Sequence, residues 1–171
     1  MKNLLVAFAI TCITAANAAL AGIVDTALPT TLPGTGKKPV LAFTTTGVRT
    51  NADTAFTVTC SNTDKSNPVE YGVEVFDFDN TQLNNAGTGD ANVVMGVGET
   101  KTITLSGQNI NTAFYAEDVV SALASDPEQG SARIIATSPK LICAAYLVGS
   151  TNPPTPLSRL PLFKKAQQKG D

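Results

Sequence analysis

The sequence has no histidine and no tryptophan. The first absence removes the usual general base near neutral pH, the Ser-His-Asp and Cys-His arrangements, and the commonest transition-metal ligand. The second removes the Cys–Trp–Cys pattern of antibody domains. With seven Phe and three Tyr, few rings are left to hold a sugar. No apolar run reaches the roughly 20 residues that a membrane-spanning helix needs. Bases are scarce in the middle of the chain. Between residues 40 and 150, five Lys and Arg face twelve Asp and Glu, a net −7; from Arg159 to the end, four bases face one acid, a net +3. A largely acidic surface repels nucleic acid, and so sparse a basic tail argues for neither a nucleic-acid nor a membrane partner.

What is present begins with an export signal. Lys2 precedes an apolar run over residues 4–13, and two Ala-x-Ala sites follow, Ala16-Asn17-Ala18 and Ala19-Leu20-Ala21. The pattern predicts a signal peptide over residues 1–18, with cleavage after residue 18 or 21, and a secreted or periplasmic product. Cys12 lies within the run. A lipid anchor there is disfavoured, because Thr11 occupies a position where lipoprotein signals carry a smaller residue. Removal of Cys12 leaves Cys60 and Cys143, an even pair in an exported chain, which reads as one disulfide; the alternative is two separate buried thiols. Both sulfurs are expected among apolar side chains.

Residues 19–39, rich in Thr, Pro, Gly and Ala, read as a flexible leader, residues 40–163 as the folded domain and residues 164–171 as a basic polar tail. Strand patterns recur through the domain. Phe56, Val58 and Cys60 alternate with threonines and Ser61, and Val69, Tyr71, Val73 and Val75 alternate with Glu70, Gly72 and Glu74. The apolar set changes face at Phe76 and Phe78, which suggests a bulge or a strand passing from one neighbour to another. Residues 93–97 and 103–105 flank Gly98-Glu99-Thr100 and predict a hairpin. A second hairpin is expected around Ser138-Pro139-Lys140, joining residues 132–137 to a central strand over 141–148. Residues 116–124 are the one helical candidate, a short helix in a connection. Together these predict an all-β fold, a two-sheet antiparallel β-sandwich of about seven strands, immunoglobulin-like in architecture.

The segments TFTVTCSN, VEVFDFDN, GVGETKTITL and GSARIIATSPKLICAAYLV, followed by a Pro-Pro stretch leading to LPLFK, resemble a group of small exported bacterial β-sandwich proteins of unassigned function. The resemblance spans about residues 54–164. It implies a secreted sandwich with a paired Cys and brings no catalytic residue.

Three constellations bear on chemistry. Glu70, Glu74, Asp77 and Asp79 lie close enough in sequence for a carboxylate-based hydrolase, although Glu70 and Glu74 share a strand face where solvation is expected. Asp77, Asp79, Asn80 and Asp90 supply hard oxygens around a Gly- and Asn-rich loop, as a calcium site would, but they match no twelve-residue loop pattern and are ordinary turn residues. Ser138 and Lys140 are formally a Ser-Lys pair, placed in a turn. No cofactor is implied. The reading is an exported, non-catalytic protein that binds a protein or surface partner or serves structurally. The alternatives are a carboxylate hydrolase and a calcium-stabilised binding module. An edge or groove fit for an extended peptide favours binding; a metal requirement favours hydrolysis.

Overall fold

A computed structural model describes residues 23, 26–107, 118–149 and 154–164. The expected signal peptide, the start of the leader and tail residues 165–171 lie outside the described residues. Ten strands form two sheets: β1 (Val40–Val48), β2 (Thr54–Asn62), β3 (Val69–Phe76), β4 (Asn92–Met95), β5 (Thr100–Ser106), β6 (Val119–Ala122), β7 (Gly130–Ala136), β8 (Leu141–Gly149), β9 (Pro156–Leu160) and β10 (Phe163–Lys164). One sheet runs β10-β1-β7-β3-β4 and the other β6-β5-β2-β8-β9. All pairs are antiparallel except β5 with β6. The all-β sandwich is as expected, with ten strands in place of about seven. The extra ones are short edge strands whose few residues carry little periodic signal. No helix among the described residues is long and apolar enough to cross a membrane.

Period-two alternation builds the core. Phe56, Val58 and Cys60 of β2, Tyr71 and Val73 of β3, and Ile134 of β7 point between the sheets and are buried. Tyr71 also ties the sheets together. Its hydroxyl donates across the core to the carbonyls of Val58 (3.1 Å) and Lys101 (2.9 Å), and burial pushes its pKa up. On the outer side of β2 and β5, hydroxyls pair across the strands, Thr57 with Thr104 and Thr59 with Thr102, both at 3.0 Å.

Four expectations need correction. Neither hairpin exists. β4 pairs with β3 in one sheet while β5 pairs with β2 in the other, and β7 and β8 separate in the same way. β7 is flanked by β1 and β3, so no place beside it is free for β8. Both connections are arches between sheets. The helical candidate is β6 over Val119–Ala122, paired to β5; two β-branched residues at an open sheet edge outweigh a two-turn helical pattern. The flexible leader is, from Thr26 on, a strap lying on the outer face of the first sheet. It has no strand of its own, yet Leu32 is fully buried there with Ala86 and Ile135. At Phe76 there is no bulge: β3 ends, and the chain turns sharply, with Asn80 N–H donating to Asp77 C=O at 3.0 Å.

Candidate functional site

Of the four hydrolase candidates, Glu70 and Glu74 lie under the strap, while Asp77 and Asp79 sit apart in the turn that follows β3. Glu70 and Glu74 are on the outer face of β3, and Arg133 of β7 stands in register with Glu74. All three are buried, at 0%, 0% and 1% exposure. Glu70 accepts from the N–H groups of Gly34 (2.9 Å) and Thr35 (2.6 Å), from the Thr35 hydroxyl (2.8 Å) and from the Asn92 side-chain amide. Glu74 accepts from Arg133 Nε at 2.6 Å and from Gln82 Nε2 at 3.1 Å. Arg133 Nη1 donates to the carbonyls of Thr26 (2.6 Å) and Ile23 (3.3 Å), and Nη2 to that of Ala27 (3.0 Å). Its guanidinium also lies 5.0 Å from the centroid of Phe76. Gly72, between the two glutamates, leaves room for the 3-10 turn at Ala86–Thr88: a Cβ there would sit 2.6 Å from that of Ala86.

The expected solvation of Glu70 and Glu74 is therefore corrected, because the strap covers their face. Both carboxylates accept from fixed donors and are themselves 0% exposed. Glu74 lies at the base of a shallow cavity of about 350 Å³ beneath strap residues Ala27–Thr31, where Gln82 and Arg133 already hold its oxygens. The arrangement fixes a segment of chain. Arg133 was not singled out from sequence, although a lone arginine within an otherwise apolar strand was the available signal.

The calcium candidates occupy two separate turns. Asp77 Oδ1 accepts from Phe78 N–H at 2.8 Å, and Asp79 Oδ1 from Thr81 N–H at 2.9 Å. The bond from Thr81 holds the Asp79 carboxyl below the usual carboxylate range. Asn80 takes the left-handed conformation of the turn, with φ of 68°. Asp90 accepts from the Thr88 hydroxyl at 3.2 Å, beside the 3-10 turn. Among the described residues no three acidic or Cys side chains converge as metal ligands. The Ser-Lys pair is likewise not assembled. Lys140 Nζ bonds Asp64 at 2.9 Å, and Ser138 Oγ accepts from the Lys140 backbone N–H at 3.3 Å. The Lys140 ammonium, followed by Ser66 N–H, lowers the Asp64 carboxyl to about 2.

A further feature is an open cleft of about 640 Å³ beside the disulfide, lined by Phe43, Cys143, Leu160, Leu162, Arg159 and Lys164 among others. Its origin is topological. β9 pairs with Ala145–Val148 only; at Pro161 the chain leaves for the other sheet, and residues 141–144 of β8 have no strand on that side. Cys60 and Cys143 are directly opposed in β2 and β8 and are bonded, closing a sequence separation of 83. Their Cα atoms are 4.1 Å apart, the spacing of a non-hydrogen-bonded antiparallel pair. The N–H and C=O of Cys143 therefore point away from β2, toward the cleft. No loop backbone group among the described residues bonds to them. Cys60 is fully buried. Cys143 is only half-buried, which corrects the expectation for that sulfur: it forms part of the cleft wall. Phe43 and Leu160 make a buried floor.

Arg159 and Lys164 rim the cleft, and neither joins an ion pair among the described residues. Lys164 Nζ lies 5.6 Å from the centroid of Phe43. Sequence reasoning passed over both bases as part of a sparse tail. The signal available was a pair of cations spaced around Leu160-Pro161-Leu162 in a chain whose domain is otherwise acidic. Comparison with family models, with curated proteins and with solved structures found no match.

Proposed function

We propose that the protein is an exported, non-catalytic β-sandwich that works by binding a protein partner through the open end of β8. One observation carries the reading: an unfinished sheet edge with an apolar floor and two cations that have no acidic partner among the described residues. The formed disulfide fits the oxidising compartment to which a signal peptide leads. The carboxylates that a hydrolase would need are instead buried and hydrogen-bonded to fixed groups. The resemblance to exported bacterial sandwich proteins agrees with this reading and adds no activity to it.

The test compares the wild-type chain with Arg159→Glu/Lys164→Glu and with Glu70→Gln in two assays. One is complex formation with the exported-protein fraction of the producing cells, followed by sedimentation. The other is turnover of a panel of nitrophenyl glycosides and esters. The binding reading expects a complex that the cleft variant loses and Glu70→Gln retains, with no turnover. Turnover that Glu70→Gln abolishes in a folded protein would replace this reading with the hydrolase.

A further inference from the structure

We infer that the cleft takes an extended acidic peptide, added to the second sheet as a strand beside β8. The inference rests on the binding reading above and names the occupant. Three features converge on it.

The first is backbone. Ala145 and Leu147 face Leu160 and Ser158 of β9. Cys143 is the next residue of that series, and the register that would continue β9 past Leu160 is empty because Pro161 turns the chain away. One N–H and one C=O are left pointing outward at a sheet edge, the geometry that an incoming strand completes. A compact ligand without a peptide backbone would leave that pair unmatched.

The second feature is alternation. Successive side chains of a strand point to opposite faces. A strand lying beside Cys143 sends one side chain between the sheets, toward Phe43, Leu160 and Leu162, and the next one outward, to the side on which Arg159 stands opposite Tyr146. The complementary sequence alternates apolar and acidic residues.

The third is charge. The domain carries a net −7 over residues 40–150, yet the cleft rim presents Arg159 and Lys164. Two cations placed on an acidic molecule favour an anionic partner there over a neutral one.

The probe is a fluorescein-labelled heptapeptide of alternating glutamate and valine, titrated against the full mature chain by fluorescence anisotropy. Saturable binding is expected, weakening as NaCl is raised from 50 to 500 mM. Arg159→Gln/Lys164→Gln should weaken it by roughly tenfold. Both residues are exposed, so the variant keeps its fold, and thermal melting verifies that. A peptide N-methylated at its central valine loses a ladder donor and should bind at least about tenfold more weakly. A lysine–valine peptide should not bind. If the N-methylated peptide binds as well as its parent and decanoate displaces both, the cleft takes small amphipathic anions and the strand-addition inference is overturned. It is equally overturned if no acidic peptide binds. A complex with an exported partner that survives the cleft variant would overturn the proposed function itself, an outcome separate from peptide failure.

Discussion

The buried Glu74–Arg133 pair gives the sharpest energetic expectation. Arg133 is 1% exposed and makes four hydrogen bonds, one to the Glu74 carboxylate and three to the strap carbonyls of Ile23, Thr26 and Ala27. Glu74→Leu leaves that guanidinium buried without its counter-ion. Arg133→Met leaves the Glu74 carboxylate with Gln82 as its remaining partner and releases three strap carbonyls. Removing one member of a buried pair costs about 3–5 kcal/mol. That is a large share of the roughly 5–15 kcal/mol by which a domain this size is stable. Glu74→Leu/Arg133→Met removes both charges and retains apolar volume, so it should cost less than the sum of the singles by at least about 2 kcal/mol. Guanidinium chloride unfolding at constant pH gives all three values. Amide exchange over residues 26–35 should rise in both variants that lack Arg133. Singles below about 1 kcal/mol, or strictly additive effects, would mean that the pair is solvated and that the strap is held by Leu32 and Glu70 alone.

Three further outcomes follow from other contacts. Tyr71→Phe should lose about 1–2 kcal/mol in urea unfolding, since its hydroxyl bridges two strands of the facing sheet from a fully buried ring; unchanged stability would refute that tie. Asp64 is held at about 2 when folded, below its unfolded value near 3.9. Its contribution is therefore complete above about pH 4 and is lost as pH falls through the folded value. The melting-temperature gap between wild type and Asp64→Asn should close between about pH 4 and 2, and a constant gap would contradict the Lys140 contact. Cys60→Ala/Cys143→Ala should destabilise by up to about 4–5 kcal/mol on the loop-entropy account; after reduction of the folded protein, alkylation should label Cys143 before Cys60, and the reverse order would place the opening elsewhere.

Much of the sandwich is legible in the sequence because alternation reports which residues are buried. Phe56-x-Val58-x-Cys60 and Val69-x-Tyr71-x-Val73-x-Val75 read directly as strands with core faces, and both are so placed. Alternation is silent on which sheet receives a strand. Residues 132–148 and 93–105 therefore looked like hairpins, although β7 already had neighbours on both sides. Glu70 and Glu74 looked solvated because a strand pattern cannot show that a distant segment lies across its polar face. The anchors of that segment, Leu28 and Leu32, are two isolated residues in a Thr- and Pro-rich stretch with no period to mark them. The cysteine pairing was legible from the count; its placement within one sheet, beside an open edge, was not. The cleft depends on β9 ending before β8 does, a property of topology that no local motif encodes.

The open end of β8 is the claim on which the binding account stands, and site-resolved amide hydrogen exchange on the free protein addresses it most directly. The Cys143 amide should exchange at least about a hundredfold faster than those of Ala145 and Leu147, which β9 covers. Equal protection at Cys143 would mean that the edge is already closed and that nothing remains there for a partner to complete.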